Sequence, residues 1–567
     1  MKLKNHQRIP STVLIGKVAS IDANGNRSTQ SYDLAGQVVS SMNARGYVTT
    51  NAYDLAGRAV SRIDATGAVW TSTYDLAGRK ISATDPLARV STTVYDVLNR
   101  AISMVSPLGN TTGYLFDAAG RRIASINPLG FANTSVYDAA GRTIAMVNPL
   151  GYTTTLLYDA ASNQIARVDA NANRTTSVYD ALNRVQAEVD ALSNRVSYTF
   201  DANGRRTVIT DTRGGLITMT YSKRNEQIAI ANQVNFATTY GFDADGRMVT
   251  RMFASGDITT MSYDNVGRQI LRVYADATRV TQAYDVVGNL TTMQDSTGTT
   301  TYAFDSVNRM TGKTDPGALV QAHVYDLANQ RTKLVDPDGG VRTYAYDADG
   351  RLTTVAVTGN TISQTFDAGG RLLTLTQSSP ALATRWTYDN ANQIVSVTQA
   401  LSGVEQFRQT LTYDPVGNRT LQKLRNGSNT TYSYDAKNRL TQDNTTGLNT
   451  HTYNYSYDSV DNILTNNESG TVTTSTYDLA SRLVTALAGA STTSYTFDAN
   501  GNNTGVNVAS ALTTMAYDKE NRLSNYLATG KSVSYTYSGA GLKRGEWNAG
   551  APTTLVWDGQ DYLQGRS

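Results

Sequence analysis

The sequence predicts an all-β repeat protein: an array of about 26 two-stranded units of 20–25 residues, coiling as an antiparallel ribbon. Three observations predict it. An aromatic residue recurs every 21 residues without a slip from Tyr32 to Tyr284, and then every 20–25 residues as far as Trp557. Four residues after each aromatic stands a residue that tolerates left-handed backbone: Gly in 14 units, Asn in eight, Asp at 461 and 561, and Ser at only 162 and 481. The segments between turns are six or seven residues long, rich in Val, Ile, Thr and Tyr, and carry no helical period.

Within a unit, the first element is Tyr53-Asp54-Leu55-Ala56-Gly57-Arg58, repeated as Tyr74, Asp75, Gly78, Arg79 and as Tyr137, Asp138, Gly141, Arg142. Asp at the first corner can accept a nearby backbone N–H, and Gly three residues on supplies the positive φ of a three-residue hairpin loop with a bulge. A strand such as Arg58 to Ile63 follows. Ten residues after the first turn the chemistry returns, as Asp64-Ala65-Thr66-Gly67 or with proline as Ser106-Pro107-Leu108-Gly109 and Asn127-Pro128-Leu129-Gly130. A second strand such as Ala68 to Tyr74 closes the unit. About 50 strands at ~4.8 Å would extend on the order of 250 Å, so the ribbon must coil or split. A β-propeller is the competing architecture, but nothing alternates at 42 residues, and the count would give 13 blades where 4–8 is usual.

The array divides softly. Residues 1–22 are a lead-in, 23–290 an array of strict 21-residue period, and 291–567 an array of 20–25-residue period. Early units place an apolar residue seven after the aromatic (Val60, Ile81, Ile102, Ile144, Ile165), later ones six after (Leu352, Leu372, Ile394, Leu440, Ile463, Leu483). Since strand side chains alternate, this one-residue shift predicts an exchange of the buried column.

A net charge of +3 with no one-signed cluster excludes a nucleic-acid footprint, and the absence of cysteine excludes disulfides and thiolate chemistry. Only Val13-Leu14-Ile15 follows the basic start, too short for a signal peptide, and no membrane span is present. No catalytic, cofactor or metal site is predicted. The recurring Asp reads as a turn corner, since catalysis needs one differentiated pair. The Arg of 15 units can pair with a neighbouring unit's Asp or line a cavity. The aromatic column predicts cross-strand ring packing, with a glycan platform as the alternative. Trp70, Trp386 and Trp547 fall off that column and are candidate contacts, whereas His6, His323 and His451 are scattered singly. Tyr221-Ser222-Lys223 and Tyr537-Ser538-Gly539 are the two units lacking the Asp. Uncapped terminal units predict exposed edges and self-association.

Tyr-Asp-x-x-Gly-Arg at a step of about 21, with Asp/Asn-Pro-x-Gly second turns, resembles the YD repeat of the rearrangement-hotspot (Rhs) and teneurin proteins over about residues 20 to 565. The resemblance implies a hollow β shell. In bacterial relatives and insecticidal toxin complexes such a shell encloses a C-terminal toxin, and in teneurins it belongs to an adhesion ectodomain. It therefore implies a secreted or cell-surface, non-enzymatic chain whose partner is a toxin or effector cargo or a neighbouring shell segment, with an adhesin or carbohydrate-binding role as the alternative. The self-cleaving core segment that ends bacterial shells has no counterpart here. Tyr413-Asp414-Pro415 copies three of its letters but continues as an ordinary turn through Val416-Gly417-Asn418, so the chain reads as a shell segment without its toxin domain.

Overall fold

The computed structural model describes residues 16–566. Among them are 53 strands and no helix, and all the strands belong to one antiparallel sheet in which neighbours in sequence pair. The expected all-β ribbon of two-stranded units is therefore the observed fold. By contacts the chain divides into two compact units. The first holds the described residues up to Gly113 with Ser262–Leu271 and Val280–Thr361; the second holds Tyr114–Met261, Arg272–Arg279 and the described residues from Ile362 onward.

The turn chemistry is as the sequence dictates. In the first element the Gly57 N–H donates to the Asp54 carbonyl at 2.9 Å and the Asp54 N–H to the Arg58 carbonyl at 3.0 Å. Gly57 takes φ 80°, and the second turn closes likewise with Gly67 at φ 84°. Even the two serines comply, Ser162 at 67° and Ser481 at 62°. Asp561 departs from the pattern. The last loop has only two residues, Asp558 pairs with Asp561, and the positive φ falls on Gly559.

The change of period near residue 290 is a change of loop. Early units combine a six-residue strand, a five-residue link, a five-residue strand and a second five-residue link, as in Val69–Tyr74 and Lys80–Thr84. From Asp295, paired with Gly298, many second turns tighten to two residues while the strands lengthen to seven and six, as in Thr471–Tyr477 and Leu483–Ala488. That repeat is one residue shorter. Ser469 and Gly470, at φ 49° and 102°, show the paired positive φ that a type I′ turn requires.

The expected exchange of columns does not occur at the level of register. Tyr53 pairs with Ala59 and Ala52 with Ser61, which leaves Val60 as the extra residue of a bulge. Tyr346 pairs with Leu352 and Ala345 with Thr354, so the bulge stays seven after the aromatic, now at Thr353. The apolar residue has moved across a fixed bulge. The structural reason is that the bulge belongs to the Asp turn, which is the same in both halves.

Adjacent residues on opposite faces differ in cover. Leu156 is 8% exposed, while its neighbour Leu157 is 38% exposed. The ring-bearing face holds the larger side chains. The other face carries hydroxyl pairs such as Thr73 with Ser82 at 2.7 Å and Thr476 with Thr485 at 2.6 Å, all exposed.

Several second turns put alanine where glycine is usual: Ala88, Ala172 and Ala277 have φ of 62°, 66° and 65°. The left-handed region costs a residue with a Cβ about 1 kcal/mol. Ala172 is exposed, so removing its Cβ disturbs no packing. Ala172→Gly should stabilise the chain by about 0.5–1 kcal/mol after the extra chain entropy of glycine, as read by chemical denaturation.

Candidate functional site

The repeated motif forms one arrangement that links unit to unit. In Asp54 one carboxylate oxygen accepts the N–H groups of Ala56 and Arg58 at 3.0 Å each, and the other accepts Arg58 Nε at 2.7 Å and Nη2 at 2.6 Å. Arg58 Nη1 then donates to the carbonyl of Asp75 in the next unit at 3.0 Å. Its guanidinium lies 4.9 Å from the Tyr74 ring centroid, and the Tyr74 hydroxyl returns a hydrogen bond to the Ala59 carbonyl at 2.9 Å. Arg79 repeats the contacts with Asp75, Asp96 and Tyr95, and Arg142 with Asp138, Asp159 and Tyr158.

All 15 motif arginines bind their own unit's Asp through Nε. This corrects the expected partner, since the neighbouring unit contributes a carbonyl and a ring rather than its carboxylate. The aromatic column also differs from expectation. Rings that follow an arginine-bearing unit, such as Tyr74, Tyr137 and Tyr325, stack one face on that unit's guanidinium, because a planar cation satisfies ring face, carboxylate and carbonyl together.

The exceptions use the same geometry. Ser222 Oγ accepts the N–H groups of Arg224 and Glu226 and donates to Glu226 Oε2 at 2.8 Å, so Ser–Glu replaces Asp–Arg. Ser538 Oγ accepts the Leu542 N–H at 3.2 Å. The Glu226 carboxylate that Ser222 faces is itself paired with Arg224 at 2.8 Å, as a turn partner would be. Asn163 takes the arginine's place against Asp159 at 2.9 Å.

The hydrogen bonds hold these carboxylates below the usual range. For Asp54 the side-chain bond from Arg58 is the main cause and the Arg58 backbone N–H the next; Asp75 and Asp117 behave alike with Arg79 and Arg121. At Asp264 burial opposes the shift, yet the backbone and side chain of Arg268 and the amide of Asn24 bring it down to about 2.

Within each unit a second set of contacts joins distant repeats, mostly between a second turn of the earlier run and an Asp turn of the later run, with Arg251 reaching Glu520 from a strand at 2.9 Å. In the first unit, Asp349 accepts Ser106 Oγ, the Leu108 N–H and Asn110 Nδ2 at 2.9–3.0 Å, and Arg45 reaches the Asp305 carbonyl and Asn308. In the second unit, Asn171 donates to Asp414 at 2.8 Å, Lys437 pairs with Asp190 at 2.9 Å, and Arg213 donates to the Leu479 carbonyl at 2.9 Å. Cavities of 440 Å³ and 300 Å³ in the first unit and 430 Å³ in the second lie along these rows of turns. They are lined mainly by neutral residues, with Arg62 the one charge in the largest and Lys80, Asp85, Arg89 and Asp349 in the smallest.

Trp70 lies against the Arg62 guanidinium at 4.9 Å, and Trp547 covers the α-carbon of Gly545. Trp386 sits in the ladder opposite Val397. His6 lies outside the described residues. His451 faces Asp443 at 3.5 Å, and His323 is buried beside Arg331 at 3.3 Å. Among the described residues no group of three or more His, Cys, Asp or Glu is placed to hold a metal ion, and no helix is long and apolar enough to cross a membrane.

Two family models match the sequence. The Teneurin YD-shell model matches residues 162–307, and the RHS repeat model matches 53–90, 95–132, 137–174, 325–361 and 413–450. No curated protein sequence matches. Among solved structures, the TcdB2-TccC3 crystal structure is similar at a TM-score of 0.68 and 13% identity, over 94% of this chain and 39% of that one. TcdB2-TccC3 without its hypervariable C-terminal region gives 0.70 and 13% over 94% and 39%. A Tc holotoxin pore from Photorhabdus luminescens with a TccC3 point mutation gives 0.65 and 13% over 94% and 39%. These likenesses show the fold, and the chain spans about two fifths of the length of the structures it matches.

Two outcomes follow from the linked motif. Arg309 binds Asp305 at 2.6 Å, the Asp326 carbonyl at 2.8 Å and the Tyr325 ring at 4.9 Å. Arg309→Lys keeps the charge but neither the fork nor the stack, so it should cost most of what Arg309→Ala costs, about 1.5–3 kcal/mol, as measured by hydrogen exchange in the flanking strands. Depressed carboxylates contribute stability that is full above their unfolded value near ~4 and is lost as pH falls through the folded values. The melting temperature should therefore hold from neutral pH to about 5 and fall steeply between about 4 and 2, with Asp264 among the last to protonate.

Proposed function

From the premise that this chain is a member of the YD-repeat (RHS-repeat) family, as the matches to both family models show, we propose that it is a wall segment of a YD shell that encloses or presents a C-terminal toxin or effector domain outside the cell that makes it. The chain's role in this reading is structural. The motif residues Tyr53, Asp54, Gly57, Arg58 and their copies all serve the wall, and none is differentiated into a reactive group.

The observation that carries the reading is the likeness of nearly the whole chain to TcdB2-TccC3, a protein with a hypervariable C-terminal region. A physical feature supports it. The accessible surface is 30752 Å², about half as much again as the ~20,000 Å² expected for a compact chain of this mass, so much of the sheet has nothing packed on it. A sheet with two accessible, chemically distinct faces suits a wall between contents and solvent. The partners in this reading are the cargo domain and a neighbouring shell segment.

The coding sequence past Ser567 tests the proposal. The expected result is further YD units followed by a C-terminal domain of unrelated sequence, which in the expressed full product resists protease until the shell is unfolded. A stop codon with no such domain in the adjoining sequence, or a domain digested as fast in the intact product as in the unfolded one, would overturn it.

A further inference from the structure

Four consecutive Asp turns in the first unit carry large aliphatic residues at their outer corners: Leu34, Leu55, Leu76 and Val97, with Leu98 beside the last. Leu55, Leu76 and Val97 are essentially fully exposed, at 111%, 109% and 97%, and Leu34 is 72% exposed. Successive corners are two strands, ~9.6 Å, apart, so the four form a ridge roughly 29 Å long. From Ala118 through Ala139 and Ala160 to Ala202 the same corner is alanine, which confines the ridge to one stretch of edge.

The same kind of edge appears again later in the first unit, and there it is about half covered. Val286 and Leu327 occupy the equivalent corners at 44% and 46% exposure, on the run of Asp turns that receives Arg45, Arg89 and Ser106 from the second turns of the earlier repeats. An Asp-turn edge is thus a surface that this fold buries where a matching row of turns is available. Contiguous exposed apolar surface of this kind marks an interaction site.

We infer that the ridge is a self-association surface on which a second copy of the chain lays its own ridge about a two-fold axis. Charge favours an identical partner. Arg58, Arg79 and Arg100 each close on their own motif's aspartate at 2.6 Å, so two such edges meet without a row of uncompensated like charges. Pitch favours it as well, because only a ribbon of the same step keeps all four corners in register. The second turns of the second copy's earlier repeats are engaged within that copy, and many of its later ones are two-residue turns without the reaching side chains. The ridge itself remains as the row with apolar tips. Five aliphatic side chains and their turns offer an area on the order of the ~800 Å² that each side of a standard interface contributes. A two-fold axis between the second and third corners sets Leu55 against Leu76 of the partner subunit and Leu34 against Val97 of the partner subunit. The association goes beyond the shell reading and does not depend on any cargo.

Sedimentation velocity of the chain over a concentration series tests it, with circular dichroism confirming that each variant is folded. The expected result is a monomer–dimer equilibrium that Leu55→Asp/Leu76→Asp weakens at least about tenfold, a loss in keeping with two buried leucines. Leu512→Asp, at an exposed strand position of the second unit, should leave it unchanged. Because the chain has no cysteine, a mixture of Leu55→Cys and Leu76→Cys chains should oxidise preferentially to the mixed disulfide-linked pair. A wild-type chain that stays monomeric, a double variant that associates as strongly as wild type, a control that dissociates equally, or cross-linking of Leu55→Cys only with itself would each overturn the inference.

Discussion

The structure depends on one constraint: a guanidinium must be satisfied on every side at the point where two units meet. Arg58 has its fork in Asp54, one nitrogen on the Asp75 carbonyl and its face against Tyr74. The tyrosine answers by bonding the backbone beside the arginine. Each partner is held by a different stretch of chain: the aspartate by the turn it caps, the carbonyl by the next turn, the ring by the next strand. Moving one unit relative to its neighbour therefore breaks all of these contacts together. That coupling fixes the distance from one Asp turn to the next, while the reach in residues from the arginine to the next turn's carbonyl varies from 16 to 19 with the second turn between them.

That freedom is where the two halves diverge. Because the bulge and the Asp turn do not change, the unit can shorten only at its other end, and it does so by exchanging a five-residue link for a two-residue turn. The longer link costs an extra residue and, at Ala88 and Ala172, some backbone strain. In return it projects corner side chains such as Arg45 and Asn171 far enough to meet an Asp turn 239 to 268 residues away. Long second turns occur where distant repeats must be joined, and tight ones become common where no later run follows within the unit.

What was legible in the sequence was what is local. Asp54 and Gly57 act on atoms within four residues, so spacing alone identified a capped turn with a left-handed residue, and Ser162 and Ser481 followed the rule against their preference. The destination of Arg58 was not legible, since its ring and carbonyl partners belong to the next unit and a carboxylate there seemed as good a partner. One signal was available: where Asp becomes Ser at 222, Arg becomes Glu at 226, and where Asp is kept but Arg is lost, Asn163 or Asn289 replaces it. Such paired changes point to a bond within the motif. The rows joining distant repeats left no periodic trace, because Ser106, Arg45 and Lys437 meet their partners through different atoms at each step.

A chain built this way places severe limits on where function can reside. The strongest polar groups of each unit are consumed in holding the next, so the ladder of 24 aspartates that follows the aromatic column is not a reservoir of acids or metal ligands. What remains uncommitted is surface: two sheet faces of different chemistry, one bearing the rings and the other paired hydroxyls interspersed with aliphatics such as Leu157, and turn edges that are partnered in one run and bare in another. Catalysis needs a few groups singled out from their neighbours, whereas enclosing or docking needs area, pitch and shape repeated over many strands. The repeat supplies the second set of properties at the expense of the first, and the departures that matter are those that change a surface without touching the link between units. Leu34 to Val97 are such a departure, because the corner residue of the Asp turn takes no part in the capping, bonding and stacking that join one unit to the next.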